Sequence, residues 1–343
     1  MGTRPTLEDV AARAGVSRAL ASIVIRGAPG ASQATTARVL QAAADIGYRP
    51  DPRARLLARS RGRSRLLGVT FGAEHPFHAD LLEGIYLAAE PAGYDIALSA
   101  LTPSRGEDRA IETLLDYRCE ALLLLGSEAP AARLAELARQ LPVLVVARRV
   151  RAASVQVVRT ADDAGIRLAV EHLTSFGHRD IVHLDGGHAA GAADRRRGFR
   201  AAMRDHDLPA RLLPGGLTEQ AGGAAARHLL AGGLPSAVIA FNDRCAVGLL
   251  DTVLRAGLRV PADLSVVGYD DDRLSRLAHV NLTTVGQDAP ELARLAVRRL
   301  IARLEGTAVR GREDVVAPHL IIRGTTAAPR AGYAPAAGQG SSV

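Results

Sequence analysis

The sequence predicts an α/β protein in which a small all-α helix-turn-helix headpiece precedes two doubly wound parallel-sheet lobes. Three observations predict this fold class. The first 65 residues are strongly basic and show helical periodicity. Short apolar segments then alternate with helical stretches in two successive blocks, about 66–150 and 162–270. The length of 343 residues is too great for one ordinary domain and suits two or three.

The charged residues narrow the classes of function. All 43 residues of the Lys+Arg class are arginines, which excludes a Walker-A phosphate loop and a pyridoxal Schiff base, because both need a lysine. Residues 1–65 hold 12 arginines and four acidic residues, so this head carries +8 and the remainder of the chain carries −1. A basic head on a nearly neutral body is the electrostatic pattern of a nucleic-acid contact. An unfolded basic arm is the alternative, but the apolar periodicity favours a folded head.

Several features predict a cytoplasmic protein. Glu8 and Asp9 lie where a secretory signal would be basic, and no apolar stretch is long enough to span a membrane. Cys119 and Cys245 lie in apolar surroundings without a paired spacing, so we expect two buried free thiols in a reducing compartment.

Local signals place three short helices within residues 6–47. Thr6, Ser17 and Ser32 are suited to cap helix starts, and Gly15 and Gly47 suit the left-handed turns that end helices. Apolar residues recur three and four positions apart in each helix: Leu7, Val10 and Ala11; Leu20, Ile23 and Val24; Val39, Leu40, Ala43 and Ile46. Two helices joined by a four-residue turn form the helix-turn-helix pattern.

Strands and helices alternate after residue 65. The predicted strands are Leu66–Phe71, Tyr94–Ser99, Ala121–Leu125, Val143–Ala147, Ile181–Asp185, Ala237–Phe241 and Val266–Tyr269. The predicted helices span about 79–92, 106–117, 130–141, 162–176, 194–205, 219–231, 243–256 and 290–305. Strands that are apolar almost throughout are typical of parallel sheets covered on both faces. The Ala/Gly/Pro/Ser-rich tail, 328–343, is expected to be disordered.

The segment TLEDVAARAGVSRALASIV (residues 6–24) resembles the headpiece of the lactose-repressor (LacI/GalR) family, as does YRPD at 48–51. RRRGF at 195–199, FND at 241–243 and VVGYD at 266–270 resemble segments of its effector-binding core. The resemblance covers residues 6–327 and implies that the two doubly wound parallel-sheet lobes resemble periplasmic sugar-binding proteins. The domain boundaries it implies are a headpiece at 1–49, a hinge at 50–65, lobe 1 at about 66–159 and 288–316, and lobe 2 at about 160–287 and 317–327.

The resemblance implies that the second helix is a recognition helix. Residues of its first turn then enter the major groove, where the planar fork of Arg18 matches O6 and N7 of guanine, a contact worth about 1–3 kcal/mol of discrimination. A contact of Arg18 with phosphate is the alternative. Hydroxyl groups of the headpiece can bond phosphates, cap helices, or do both. The expected DNA-contacting residues of the headpiece are Thr6, Ser17, Arg18, Ala19, Ser22, Ile23, Ser32 and Thr35.

Ala54, Leu57 and Ala58 match the hinge positions that face the minor groove in this family. An apolar wedge between base steps kinks the duplex; the unstacking costs a few kcal/mol and is offset by extra wrapped contacts. Packing of Leu57 on a partner helix is the alternative.

In the core, Arg195 and Asp270 supply complementary donors and acceptors for a polyhydroxylated molecule or a nucleobase, and Asn242 supplies both. The effector-binding residues that the resemblance implies are Phe77, His78, Ser127, Arg195, Asn242, Asp270 and Gln287. His78 could instead be a satisfied core group, Asp243 a helix cap, and Asp271 and Asp272 solvated loop charges.

This chain departs from the family pattern at several positions. The family commonly carries a basic residue at Ile23, a carboxylate at Ala147, and an aromatic residue near Leu217–Thr218 or Ala289. The departures remove one usual base contact, one hydroxyl acceptor and the usual stacking faces. A sugar is the effector that base rates favour.

The predicted function is that of a transcriptional regulator, expected to be a repressor, that binds a double-stranded, pseudo-palindromic operator as a homodimer under the control of a small-molecule effector. We expect no catalytic residues, cofactor, metal or membrane partner, since no hydrolase elbow, metalloprotease helix or Cys/His metal spacing occurs. An enzyme or a solute-binding protein on the same two-lobed fold is the alternative.

Overall fold

The computed structural model describes residues 5–25, 27–48, 64–308 and 310–330. The chain divides between Ser64 and Arg65 into two compact units. Within the described residues, the first unit contains three helices and the second contains two six-stranded sheets with their covering helices. The predicted fold class is confirmed.

Three helices form the first unit in the predicted helix-turn-helix order. Helix α1 is Leu7–Ala14, α2 is Arg18–Ile25 and α3 is Gln33–Asp45. Small and β-branched side chains form their shared core: Val10, Ala11, Ala14, Ala21, Val24, Val39, Ala42 and Ala43. The prediction that Leu40 faces inward is wrong. Its side chain is half exposed, because the buried face of α3 passes through Val39, Ala42 and Ala43.

The predicted caps set the helix ends. The Asp9 carboxylate accepts the Thr6 backbone N–H at 2.7 Å, and the Thr6 hydroxyl accepts the Asp9 backbone N–H at 3.3 Å, so α1 begins with a capping box. Gly15 ends α1 with φ 61°, a left-handed conformation that glycine adopts without a Cβ clash. These interactions are local in sequence, which is why they were predictable.

Lobe 1 is built on a parallel sheet in the order β11-β5-β4-β3-β1-β2. Its strands are β1 (Leu66–Gly72), β2 (Asp95–Leu101), β3 (Ala121–Leu125), β4 (Val143–Val146), β5 (Gln156–Thr160) and β11 (Glu313–Val316). Its helices are α4 (Pro76–Ala89), α5 (Glu107–Asp116), α6 (Ala131–Leu137) and α11 (Ala289–Leu304). Side chains of β3 alternate between two cores, one with α4 and α11 and the other with α5 and α6, so its unbroken apolar sequence is buried on both faces.

Lobe 2 repeats this plan in the order β12-β10-β9-β8-β6-β7, with β12 antiparallel to β10 at one edge. Its strands are β6 (Ile181–Asp185), β7 (Arg211–Pro214), β8 (Ala237–Ile239), β9 (Ser265–Asp270), β10 (Thr283–Gly286) and β12 (His319–Ile321). Its helices are α7 (Asp162–Ser175), α8 (Ala192–Asp205), α9 (Glu219–Gly232) and α10 (Asp243–Arg255). Helices α7 and α8 cover one face, and α9 and α10 cover the other.

The chain passes between the two sheets three times, after β5, after β10 and after β11. Thr160 ends β5, and its hydroxyl donates to the Gln287 side-chain oxygen at 2.6 Å, which joins the first two crossings. In open α/β sheets, ligands bind beyond the carboxyl ends of parallel strands, so loops at these ends are the place to look for a site.

Five strands were not predicted from the sequence: β5, β7, β10, β11 and β12. They are short or carry polar residues such as Arg159, which is buried because its Nε donates to Glu313 at 2.5 Å. The alternative that Asp271 and Asp272 are solvated loop charges is also wrong. Asp272 is buried and accepts the backbone N–H groups of Leu274 and Ser275, while Asp271 pairs with Arg323 at 2.6 Å.

Cys119 and Cys245 are buried and free, as predicted. Among the described residues, no helix has the length and apolar character needed to cross a bilayer. No group of metal-ligating side chains occurs in that part of the chain either.

Candidate functional site

The amino end of α2 presents an exposed surface. Ser17, Arg18 and Ala19 are all exposed, and the Ser17 hydroxyl accepts the Leu20 backbone N–H at 3.2 Å. The Arg18 side chain is 70% exposed, and its Nε lies 3.5 Å from a carboxylate oxygen of Glu8, a weak pairing at an exposed position. This surface can therefore offer a planar cation and a hydroxyl to a groove.

Other predicted contacts in the headpiece have partners within it. Ser32 accepts the Thr35 backbone N–H at 3.2 Å, and the two hydroxyls lie 2.9 Å apart. Ser22 and Ile23 are half-buried, and Ile23 faces the turn at Gly30. The hydroxyls of Thr6 and Ser32 serve as caps here, and that of Thr35 bonds to Ser32, which leaves a second lone pair or donor for a phosphate. The hinge residues Ala54, Leu57 and Ala58 lie outside the described residues.

A cleft lies between the carboxyl ends of the two sheets. Six of the seven side chains predicted to face an effector line it: Phe77, His78, Arg195, Asn242, Asp270 and Gln287. Ser127 does not belong to this lining, because its side chain is buried and its hydroxyl accepts the Ala129 backbone N–H at 3.3 Å.

Arg195 is fixed in the cleft by both hydrogen bonds and aromatic contacts. Its Nε donates to Asp162 at 2.8 Å, and Nη1 donates to the Phe241 carbonyl at 2.5 Å. Its guanidinium carbon lies 3.5 Å from the ring centroid of Tyr269 and 4.6 Å from that of Phe241. Two hydrogen bonds and two aromatic rings therefore fix the orientation of a buried cation.

Asp270 lies beside this cation with a strained backbone. Its carboxylate is 3.7 Å from Arg195 Nη2, and it accepts a hydrogen bond from Gln287 Nε2 at 2.7 Å. Its φ is 112°, a conformation that L-residues rarely adopt and that often marks functional positions. Burial raises the pKa of Asp270 to about 7, against the opposing effects of Arg195 and Gln287. A charge-bearing acceptor is thus held next to a donor at the end of β9.

We expect the Asp270→Asn variant to be more stable than the parent at pH 8. A carboxyl whose folded pKa lies above its unfolded value opposes folding increasingly as pH rises from about 4 to 7, and an amide lacks this cost. Asn also tolerates positive φ and keeps an acceptor for Gln287. The gain should be about 1–3 kcal/mol at pH 8 and should shrink towards pH 4.5.

Thermal unfolding at the two pH values checks this expectation, with the exposed carboxylate Asp95→Asn as the matched control. An equal loss of stability at both pH values in Asp270→Asn would contradict the assigned electrostatics.

His78 adds a donor from lobe 1. Its Nδ1 accepts the Gly72 backbone N–H at 2.9 Å, so the ring hydrogen of the neutral form lies on Nε2. Burial lowers the pKa of His78 to about 3, and the neighbouring His75 acts in the same direction. Burial, followed by the charge of Arg244, also lowers the pKa of His75. Both rings are therefore neutral at physiological pH.

Asn242 connects two loops at the base of the cleft. Its side-chain oxygen caps α10 by accepting the Cys245 backbone N–H at 2.9 Å, and its amide donates to the Leu217 carbonyl at 3.1 Å. Asp243, for which a cap was the alternative, instead accepts hydrogen bonds from Thr284 Oγ1 and the Asp272 backbone N–H.

Several lining residues were not selected from the sequence: His75, Glu128, Ala189, Ala190, Leu217 and Phe241. Phe241 belongs to the quoted FND segment, and His75 to a His-Pro-Phe-His run. Glu128 follows β3 closely, so the rule that sites gather at the carboxyl ends of parallel strands could have found it. Nothing local predicts the role of Asp162, which reaches Arg195 from another helix.

Three arginine contacts join the lobes around the cleft. Arg244 Nη1 donates to the Glu74 carbonyl at 2.6 Å. Arg273 lies 3.5 Å from Asp80, and Arg149 lies 3.8 Å from Asp194. These three contacts are polar, so water can replace them when such a cleft opens.

Two family descriptions match this sequence. Residues 6–51 match the bacterial regulatory proteins of the lacI family, and residues 170–326 match the periplasmic binding protein-like domain. The chain is also 31% identical over 333 residues to the HTH-type transcriptional repressor CytR of Escherichia coli K12, covering 95% of this chain and 97% of the relative.

Solved structures show the same similarity. A LacI transcriptional regulator from a Rhodococcus species is 50% identical, with a TM-score of 0.75 over 77% of this chain and 99% of that one. The lac repressor dimer bound to operator and the anti-inducer ONPF is 28% identical, with a TM-score of 0.81 over 95% of this chain and 100% of that one.

Proposed function

The chain belongs to the LacI family of bacterial regulatory proteins, and from this premise we propose that it represses transcription by binding operator DNA under the control of a small molecule in the interlobe cleft. The observation that carries the proposal is the cleft itself. Six side chains from distant parts of the sequence meet there around an oriented arginine–carboxylate pair, next to the chain crossings that link the lobes. The exposed amino end of α2 supplies the DNA-contacting surface.

In this proposal, α2 enters the major groove and Arg18 contacts a guanine. The other DNA-contacting residues at or next to this helix are Ser17, Ala19, Ser22 and Ile23. Thr6, Ser32 and Thr35 contact phosphates through hydroxyls and helix amino ends. One headpiece contacts few bases, so a dimer on a pseudo-palindrome doubles the interface. Ala54, Leu57 and Ala58 of the two subunits would act as apolar wedges at the operator centre.

The effector is a sugar or a related metabolite. Asp270 accepts hydrogen bonds from hydroxyls, and the remaining N–H groups of Arg195 donate to them, so neighbouring hydroxyls on one ring are matched by neighbouring protein groups. Asn242, Gln287 and His78 provide further amide and ring N–H groups. An effector changes DNA affinity only through its different affinity for the two lobe arrangements, and DNA changes effector affinity by the same factor.

An enzyme and an exported solute-binding protein are the other functions compatible with two such lobes. The basic headpiece favours a cytoplasmic regulator over both. Turnover of a bound metabolite by the purified protein would favour the enzyme, and an undiminished metabolite after prolonged incubation would favour the regulator.

We expect Arg18→Ala to weaken binding to an operator selected from random duplexes by roughly tenfold to hundredfold, because a bidentate guanine contact is worth about 1–3 kcal/mol. Binding to nonspecific DNA should change far less. Fluorescence anisotropy over a series of salt concentrations measures both affinities and the number of released counterions.

Arg38→Ala is the matched control, because it removes the same charge from an exposed position on α3. Equal losses on operator and nonspecific DNA in Arg18→Ala would assign this arginine to a phosphate and overturn the base contact.

A further inference from the structure

We infer that the cleft accepts an uncharged, hydroxyl-bearing molecule and rejects the phosphorylated or carboxylated forms of that molecule. The inference rests on the proposed effector function and narrows it to one class of ligand. Its basis is the balance of charges on the cleft walls.

The cleft holds a cation, but that cation is already neutralised. Arg195 is the one arginine of the described residues that lines the cleft. Its Nε contacts Asp162 at 2.8 Å, and its Nη2 lies 3.7 Å from Asp270. The rings of Tyr269 and Phe241 also lie against this guanidinium, with centroids 3.5 and 4.6 Å from its carbon. Above about pH 7, where Asp270 is ionised, two carboxylates around one guanidinium leave N–H donors for a neutral hydroxyl but no net positive charge for an anion.

Three arginines close to the cleft also have hydrogen-bond partners within the protein. Arg244 makes two hydrogen bonds to Glu219, at 2.8 and 2.6 Å. Arg196 contacts both carboxylate oxygens of Asp185, at 2.7 and 2.8 Å. Arg148 donates to the Ala129 carbonyl; burial lowers its pKa, and the charges of Glu107 and Glu128 oppose that shift. None of these three lines the cleft.

The histidines of the cleft do not supply the missing charge. A backbone N–H occupies the Nδ1 lone pair of His78, which therefore cannot take a second proton without losing that bond. The ring of His75 lies 4.9 Å from that of His78, and Arg244 approaches from the other lobe, so a proton on His75 would face a cation. Both rings can bond a ligand only as neutral donors or acceptors.

Glu128 adds a negative charge on the lobe 1 wall. It lines the cleft and is exposed, so its carboxylate is free to turn towards a ligand. Glu128 follows β3, and Ala147 follows the neighbouring strand β4. Both residues line the cleft, so the Glu128 carboxylate can accept a ligand hydroxyl on the side where Ala147 cannot. Desolvating an anion between Glu128 and Asp270 without a free cation is unfavourable, whereas hydroxyls donate to both.

Thermal shifts of the full chain in matched pairs of ligands test this inference. The probes are glucose, galactose, ribose and adenosine, each beside its monophosphate, at equal concentration in a phosphate-free buffer of low ionic strength. We expect at least one uncharged probe to raise the melting temperature, and its monophosphate to raise it less or not at all.

A monophosphate that stabilises the protein as much as its uncharged partner overturns the inference, and if that ligand also changes operator affinity, the proposed effector function stands. A panel in which no probe of either kind stabilises the protein contradicts both.

The Glu128→Gln variant then tests whether the Glu128 carboxylate contacts the ligand. For the stabilising probe we expect about a tenfold loss of affinity, the effect of removing one charge-assisted hydrogen bond, and a smaller difference between the probe and its monophosphate. Glu305→Gln, an exposed carboxylate beyond the end of α11, is the control and should change neither affinity. Unchanged affinities in Glu128→Gln would remove Glu128 from the ligand site and overturn its assignment.

Discussion

A fragment that begins at Arg65 is expected to lose site-selective DNA binding altogether and to keep a cooperative thermal transition. The headpiece and the core are separate compact units, and the core keeps the four apolar clusters that its two sheets share with their helices. Specific affinity usually exceeds nonspecific affinity by a factor of about a thousand or more, and removal of the helix-turn-helix should abolish that whole factor. Anisotropy with operator and nonspecific duplexes, together with calorimetry, measures the two expectations.

A chain shortened at the other end, by removal of residues 331–343, is the control and should keep its operator selectivity. Selective binding by the Arg65 fragment would show that the core recognises DNA bases. That result would refute the proposal that the headpiece binds DNA and the core binds the effector.

Arg195→Met should produce the largest effect in the core. It leaves Asp162 buried without its partner, and breaking a buried pair on one side costs about 3–5 kcal/mol. For a unit of this size, that cost is roughly 10 °C or more in melting temperature. Stabilisation by the uncharged ligand should disappear as well, because the cleft loses its oriented donors. Calorimetry with and without ligand measures both effects.

The double variant Asp162→Asn/Arg195→Met separates the two roles of Arg195. It should recover much of the stability, because no unpaired carboxylate remains at position 162, yet it should not recover ligand binding. If the double variant binds the ligand normally, Arg195 has only a structural role. If the single variant is as stable as the parent, the ion pair with Asp162 contributes nothing to folding.

The sequence predicted those parts of the fold whose signals are local. The Thr6–Asp9 capping box, the Ser17 and Ser32 caps and the left-handed Gly15 span only a few residues each, so the headpiece could be predicted closely. The apolar run Ala121–Leu125 likewise predicts a strand covered on both faces.

Features that depend on distant partners could not be predicted in this way. Arg159 is buried within β5 because Glu313 reaches it from β11, and Asp162 is buried with a partner because Arg195 contacts it from α8. Asp272 looks like a loop charge in sequence, but the backbone of its own turn and Asp243 hold it in the interior. In each case the deciding partner is brought close only by the tertiary fold.

The cleft could be predicted in part for the same reason. Arg195, Asn242 and Asp270 stand at strand ends or helix starts within recognisable segments, and Glu128 follows the end of β3, whereas Asp162 contacts Arg195 only through the packing of α7 on α8. The charge balance of the site, and therefore the class of ligand, requires all of these residues together. This balance is what the three-dimensional arrangement adds to the sequence.

We expect ligand in the cleft and operator on the headpiece to change each other's affinity for the protein. The most direct measurement is a pair of titrations on the full chain: operator affinity with and without saturating uncharged ligand, and ligand affinity with and without saturating operator. We predict two factors that differ from one and agree with each other, as thermodynamic linkage requires. Operator affinity that is identical at zero and saturating ligand would contradict the account.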